Sequence, residues 1–538
     1  MTEPSKDKWA HCRLGRLVAS SVAVFACALW TAAATGQEFT DIAPADRATI
    51  NVEPGVVIRQ ELPATLFGFN VNHFHFQQDL WQEDRRQVNP AVMQALRPFK
   101  GALYRYPGGL LANRFWWQEA VGPVADRGVQ RSVLYDPGAR VLFGVEEYLN
   151  FVGQVGGHPW YLVNLVGWDR SELFRELPES EVAASNAGLA TFIKLRGAGF
   201  PRLRYYQLGN ELDRAEYQWP TEKYVQRSRS SMDAILAVDP DARFVAFLRD
   251  FDWVYRGGAR DGQTSRYQDL IADVLKGLPE VNDFSLHFYY DDPGMDQQFK
   301  QIPWRLKQFR RAIAVAAAQR NGRSPNVWIT EHARGINVGA GSGMSRASLT
   351  SNLSATLSTA DFLIALAQIP EVQGAAWHGL NAGPWQVFDA SIDKKDLRPR
   401  PIYYGLRVLR TVDLPIVLGT RTRSPNFGGY GGGYDIRGVA FAEPGARRLA
   451  LWSVNRAPRA TEVEFIHPEW RNQTVSVRHY FVAGREGVNP NDAALEPSVE
   501  LEPVATRLTF SDTGTLTLKL PPASVSSFVM EKSGAKDR

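Results

Sequence analysis

The stretch Leu203-Arg-Tyr-Tyr-Gln-Leu-Gly-Asn-Glu211 decides the fold. Its aromatic and apolar run, Leu203–Leu208, suits a short strand, and Leu208-Gly-Asn-Glu211 ends it. Helical patterns bracket it, Val182–Arg196 before and Glu222–Ala237 after. Outward from this unit the alternation repeats. Further apolar runs read as strands at Leu66–Val71, Ala102–Tyr106, Trp160–Val166, Phe244–Phe247, Asp283–Tyr289, Asn326–Thr330 and Gly374–Trp377. Further helical patterns lie at Val145–Val155, Tyr267–Leu275, Trp304–Gln319 and Thr359–Ala367. Repeated strand–helix units imply a parallel sheet, and eight of them suit an α/β fold of the (β/α)8 TIM-barrel type, with its chemistry at the C-terminal strand ends. An open doubly wound sheet is disfavoured, because no Gly-x-Gly-x-x-Gly follows an early strand.

The barrel is expected over residues 64–405. Beyond it, short alternating runs appear at Val439–Ala442, Leu449–Val454, Glu462–Phe465, Thr474–Phe481, Leu508–Phe510 and Thr515–Leu520, punctuated by Pro, Gly and Asn. They read as a C-terminal antiparallel β-sandwich over 406–532, followed by a tail at 533–538. The segment 37–63, with Ile50-Asn-Val-Glu and Val56-Val-Ile, is expected to join that sandwich as an edge strand. Gly428-Gly-Tyr-Gly-Gly-Gly-Tyr434 reads as a flexible loop. It lacks the Lys-Ser/Thr of a phosphate loop.

The chain has 538 residues, with 61 Lys+Arg against 57 Asp+Glu and 44% hydrophobic residues. This ordinary globular balance excludes disorder and coiled coil, and the small mixed charge argues against a nucleic-acid partner. The two cysteines, Cys12 and Cys27, lie in a segment with Lys6, Lys8, Arg13 and Arg16, an apolar run Leu17–Trp30, and small residues Thr31–Gly36. That is the pattern of an export signal over residues 1–36, with an uncleaved anchor as the other reading. Its removal leaves 57 basic against 55 acidic residues, no cysteine, and no apolar run long enough to span a bilayer. A secreted or periplasmic protein is expected, with no membrane contact in the mature form, no cofactor and no metal. Cys–metal and Cys-nucleophile chemistry are excluded for that mature chain.

Two carboxylates end strands on the expected top face: Glu211 after the fourth, and Glu331, in Trp328-Ile-Thr-Glu331, after the seventh. Glycosidic hydrolysis needs two carboxyls flanking the bond, ~5–5.5 Å apart for retention and ~6.5–9.5 Å for inversion. Ordinary rim carboxylates are the other reading of both. His73-Phe-His75 puts two imidazoles on one strand face, read as substrate lining or packing rather than a metal site.

These residues resemble the clan A retaining glycoside hydrolases. Leu103-Tyr-Arg-Tyr-Pro-Gly-Gly109 with Trp116, Trp117 and Val121-Gly-Pro123 is similar to the second-strand region of the family 51 α-L-arabinofuranosidases. Phe143–Leu149 with Tyr161-Leu-Val-Asn164, then Tyr205–Glu211, Ala237-Val-Asp-Pro240, Ser285-Leu-His-Phe-Tyr289 and Trp328-Ile-Thr-Glu-His332, continue the likeness in order. The resemblance covers residues 60–405. It implies Glu211 as general acid/base, with a raised pKa, and Glu331 as nucleophile, kept ionised by hydrogen bonds and a nearby cation. It implies Arg105 as that cation, Asn210 on the hydroxyl beside the anomeric carbon, Tyr289 orienting Glu331, His287 lining the cleft by Glu211, and Trp377 as an aromatic sugar platform. Asn72, His73 and Asn164 complete the implied substrate-binding set. A structural salt bridge for Arg105, and core packing for His287 and Trp377, are the alternatives.

The sequence also departs from that family, which carries Glu where Asn72 stands and Asn where Leu110 follows Pro-Gly-Gly. Both changes remove polar contacts to the sugar, so the retaining chemistry carries over better than the sugar identity. The leading expectation is an exported retaining glycoside hydrolase acting on a poly- or oligosaccharide. A non-catalytic carbohydrate-binding or matrix protein on a decayed barrel is the alternative. An inverting hydrolase or polysaccharide lyase on the same scaffold is a third.

Overall fold

The computed structural model describes residues 42–72, 80–82, 85–132, 135–167, 175–213, 217–248, 271–291, 302–335, 346–380, 383–390, 397–425, 434–492 and 494–533. Eight parallel strands close into a barrel: β1 (Gly68–Asn70), β2 (Leu103–Tyr106), β3 (His158–Val163), β4 (Tyr205–Leu208), β5 (Arg243–Phe247), β6 (Asp283–Tyr290), β7 (Asn326–Arg334) and β8 (Val372–Trp377). Closure comes from β8 pairing with β1, Ala376 opposite Gly68 and Trp377 opposite Phe69. The TIM-barrel expectation therefore holds. The export segment, the His73/His75 strand face and most of the Gly428–Tyr434 loop lie outside the described residues.

The barrel is filled in layers. Leu103, Trp160, Val245, Trp328 and Ala376 form a buried cluster with Tyr205 against it, and the Trp160 and Trp328 rings stand 4.7 Å apart. Trp328 fits because its neighbour strand carries Gly374, where a Cβ would lie 2.8 Å from the indole. Above this apolar layer sits a polar one: Trp160 Nε1 donates to Gln207 Oε1 at 3.2 Å. Nearer the top, the β6–β7 register shifts between Leu286 and His287, and the β7–β8 register between Ile329 and His332. Such irregularities re-aim side chains next to a site.

The helices that wrap the barrel include α1 (Val145–Val155), α2 (Glu179–Arg196), α3 (Thr221–Leu236), α4 (Ile302–Ala318) and α5 (Leu353–Ala367). Helix α5 starts six residues before the expected Thr359. Its first turns, Leu353-Ser-Ala-Thr-Leu-Ser-Thr, show no apolar stripe, yet every residue of the helix is buried. Asn352 starts it by accepting from Ala355 N at 2.9 Å. Among the described residues no helix is long and apolar enough to cross a membrane.

The second unit of structure is an eleven-stranded sheet. Its strand Ala48–Arg59 is interior rather than at the edge, antiparallel to Ile416–Ser424 and parallel to Thr461–Ile466. The sheet is therefore mixed, not wholly antiparallel. Three further strands, Ile416–Ser424, Ser498–Glu500 and Ser524–Lys532, lie outside the expected runs. The first ends in Gly-Thr-Arg-Thr-Arg-Ser, which offers no apolar alternation, while its neighbours supply the pairing. Alternation along Arg448–Asn455 divides the packing. Leu449 and Leu451 enter a core shared with Ile50, Val463, Val475, Leu518 and Met530, strands from both ends of the sheet, which thus curls on itself. Ala450, Trp452 and Val454 face the other way and join the barrel's core.

An ion cluster buried between sheet and barrel fastens the two. Asp361 on α5 binds Arg437 and Arg456 and accepts from Tyr434 Oη at 2.6 Å. Arg456 also binds Asp291, just beyond β6, whose carboxylate accepts from Ser358 Oγ at 2.8 Å. Removing one member leaves uncompensated buried charge. Asp361→Ala should lower unfolding free energy by about 3–5 kcal/mol, read from urea melts; a variant as stable as the parent would contradict this role for the cluster.

Candidate active site

Arg105 is the next-to-last residue of β2 and is fully buried. Its guanidinium reaches four partners: Nε donates to Gln207 Oε1 at 2.9 Å, Nη1 to Asn70 Oδ1 at 2.6 Å and to Glu331 Oε1 at 2.9 Å, and Nη2 to Asn210 Oδ1 at 2.6 Å. Asn70 is fixed in turn, giving its amide hydrogens to Thr330 O at 2.8 Å and Trp377 O at 3.2 Å. One cation thus aligns side chains from β1, β4 and β7.

Glu211 follows β4 through an unusual backbone. Gly209 has φ +68° and Glu211 itself φ +47°, a left-handed conformation costly for a residue with a side chain. Asn113, from the loop after β2, holds this turn in place. Its Oδ1 accepts from Asn210 N at 3.0 Å, and its Nδ2 donates to Asn210 O at 2.7 Å. Asn210 Oδ1 is taken by Arg105, and its buried Nδ2 has no partner among the described residues.

Glu331 sits on β7 beyond the register shift, buried, with His287 of β6 opposite. Tyr289 Oη donates to its Oε2 at 2.7 Å, and His378 Nδ1 stands 3.1 Å from that oxygen. His287 Nδ1 lies between the carboxylates, 2.8 Å from Glu211 Oε1 and 3.4 Å from Glu331 Oε2. Burial opposes ionisation of Glu331, but His287, His378 and Arg105 outweigh it and hold the carboxyl well below the usual carboxylate range. The adjacent His332 is lowered too, which for an imidazole favours the uncharged form. Burial, with His378 nearby, pushes it down to about 3, so it is neutral beside Tyr290 Oη at 3.1 Å.

One donor atom each from Glu211, His287 and Glu331 lie within 4.8 Å of one another. Among the described residues this is the group that could share a cation, but Arg105, Tyr289 and His378 already partner Glu331. Chemically the pocket presents an ionised carboxylate and a second carboxyl within reach of one small reacting centre.

The chain is similar to the α-L-arabinofuranosidases. Over 217 residues it is 28% identical to an intracellular exo-α-(1→5)-L-arabinofuranosidase from Streptomyces lividans, an alignment covering 39% of this chain and 31% of that protein. A protein of the same description from Halalkalibacterium halodurans is 25% identical over 239 residues, 44% of this chain and 46% of that one. The chain thus matches less than half the length of these curated relatives. A solved family 51 α-L-arabinofuranosidase from Thermotoga petrophila shares the fold over 90% of this chain and 100% of its own, with a TM-score of 0.70 at 15% identity. No family model matches the chain.

Arg105, Asn210, Glu211, His287, Tyr289 and Glu331 are brought together. Asn72 lies just beyond β1, beside Gly108, where a Cβ would come within 3.7 Å of its Cγ; on the strand itself Asn70 accepts from Arg105. His73 lies outside the described residues. Asn164 turns its side chain to backbone: Oδ1 accepts from Val166 N and Gly167 N, and Nδ2 donates to Phe115 O at 3.2 Å. Trp377 needs correction as a sugar platform. It is 1% exposed and donates its indole NH to Trp385 O at 2.6 Å, so it has no open face. Trp385 is only partly buried and packs edge-on against His378 at 4.3 Å.

Sequence reasoning missed Asn70, Gln207, Asn113, Gly109, His378 and Trp385. His378 had a signal, as the residue after the eighth strand's Trp377. Gly109 had one too, in Pro-Gly-Gly: a Cβ there would lie 2.7 Å from Glu331 Oε1. Gly109→Ala must therefore displace the carboxylate. A loss of about 10²-fold in kcat/KM with an unchanged melting temperature is expected; full activity would show that Glu331 tolerates the intrusion.

Proposed function

We propose that this protein is an exported retaining glycoside hydrolase that cleaves glycosidic bonds of a poly- or oligosaccharide by double displacement. The observation that carries this reading is the pair of glutamates with oxygens within 4.8 Å. That spacing favours the retaining range of ~5–5.5 Å over the ~6.5–9.5 Å that leaves room for an attacking water. Similarity to arabinofuranosidases supports a carbohydrate substrate. Export rests on the basic start, apolar run and small residues of 1–36.

Glu331, ionised by its cationic neighbours, attacks the anomeric carbon as the glycosidic bond breaks. Glu211 gives its proton to the departing oxygen. Water then attacks the glycosyl–Glu331 ester while Glu211, now a carboxylate, takes a proton from that water. The product keeps the starting anomeric configuration. Asn210 Nδ2 donates to the hydroxyl next to the anomeric carbon, a bond that strengthens as positive charge develops on the sugar.

The sugar is expected to differ from arabinofuranose, since Asn72 and Leu110 replace the Glu and Asn of the family this chain resembles. Glu331→Ala should abolish hydrolysis of an aryl glycoside, and azide should restore turnover with the opposite anomeric configuration in the product. Retained activity in that variant would sink the assignment, and wild-type binding without turnover across a glycoside panel would favour a binding protein. In a panel of aryl furanosides, pyranosides and uronides, arabinofuranoside should not rank first; a rate there about tenfold above all others would refute the specificity argument.

A further inference from the structure

His378 stands immediately after β8, held by its backbone N–H, which donates to His332 O at 3.1 Å. Its Nδ1 makes a triangle with the reacting carboxylate and its tyrosine. It is 3.1 Å from Glu331 Oε2 and 2.8 Å from Tyr289 Oη, and Tyr289 Oη is 2.7 Å from Glu331 Oε2.

Counting hydrogens decides what this triangle means. The carboxylate of an ionised Glu331 only accepts, so the single hydroxyl hydrogen of Tyr289 goes to Glu331. Tyr289 Oη then meets His378 Nδ1 as an acceptor. The third contact is attractive only if Nδ1 carries a hydrogen, which it shares between Tyr289 Oη and Glu331 Oε2. The neutral Nδ1–H tautomer and the imidazolium both meet this need; the other neutral tautomer does not. Packing fixes the ring, since Trp385 and Tyr289 stand edge-on to it at 4.3 Å and 5.5 Å. The side chain is 23% exposed, and Nε2 makes no hydrogen bond among the described residues. The charged and titratable groups around it are Glu331, Tyr289 and His332, with His287 and Arg105 reaching it through Glu331.

We propose that His378 is a positioning residue for the nucleophile. Its Nδ1–H fixes the Glu331 Oε2 lone pairs together with Tyr289, leaving Glu331 oriented toward the anomeric carbon and ionised. The inference rests on the reading of Glu331 as nucleophile.

The test compares His378→Ala with His378→Asn, whose amide nitrogen can replace the Nδ1 donor. On the aryl glycoside that the wild type hydrolyses fastest, His378→Ala should lower kcat by about 10–100-fold with KM nearly unchanged. The acidic limb of its kcat/KM profile should move about one pH unit higher, because losing a donor to the carboxylate raises that carboxyl's pKa. His378→Asn should recover most of kcat and return the limb. Carbon-13 carboxyl NMR of labelled glutamate, with Glu331 assigned by difference against Glu331→Gln, should show the same upward shift whether or not a substrate is in hand. Loss of turnover in Glu331→Ala tests the parent reading separately. Unchanged kcat, limb and Glu331 titration in both variants would overturn the role of His378. So would an effect on KM alone, which would make His378 a sugar contact instead.

Discussion

The guanidinium of Arg105 is the contact on which the site depends. A buried arginine is tolerated only when its donors find acceptors, and here Gln207, Asn70, Asn210 and Glu331 supply them. The dependence runs both ways. The charge is stable because the strand ends converge, and the strand ends are held in register because the charge demands acceptors from each. Glu331, held ionised chiefly by His287 and His378, has Arg105 as a further cation, and Asn210 takes from this arrangement the orientation that leaves its Nδ2 without a partner among the described residues.

A second arginine-centred cluster does a different task with the same chemistry. Arg437 and Arg456 of the sheet close on Asp361 and Asp291 of the barrel, in a region otherwise packed by apolar residues such as Phe441 and Trp452. Apolar contact alone would let the sheet slide over α5; directed ion pairs set one orientation. This matters for the top of the barrel. Arg334, at the end of β7, donates from Nη1 to Asn491 Oδ1 of the sheet unit at 2.7 Å and from Nε to Asp291 O at 2.9 Å, and its carbonyl accepts from Trp385 Nε1 at 3.1 Å. The aromatic wall beside His378 thus leans on the same seam.

The barrel was legible because strand–helix alternation is a local signal repeated many times, and the two glutamates because each ends such a strand. What was not legible follows from geometry that composition does not carry. Asn72 was named from the resemblance alone; that Asn70, the last paired residue of β1, turns its side chain to Arg105 had no signal in sequence. Trp377 was named as a platform from the resemblance, with core packing as the other reading; it is buried, and its indole N–H is taken by the carbonyl of Trp385, a contact no sequence pattern carries. Asn113 sits in a short helical turn with no periodicity, and its purpose appears only where it meets Asn210. The strand Ile416–Ser424 is polar in its second half and owes its existence to flanking strands rather than to its own propensity.

The interior placement of Ala48–Arg59 has a consequence for how the chain reaches this state. Ile50 pairs with Thr422 on one side and with Phe465 on the other, so the whole barrel is an insertion between a strand and its partners. Contacts so distant in sequence are slow to form, and each must await closure of a very long loop. During synthesis the barrel can be complete while this early strand still has two bare edges. The strands of the sheet that flank the barrel, not the barrel itself, then set the pace of folding, and an unpaired strand is what a chaperone or an aggregate would meet first.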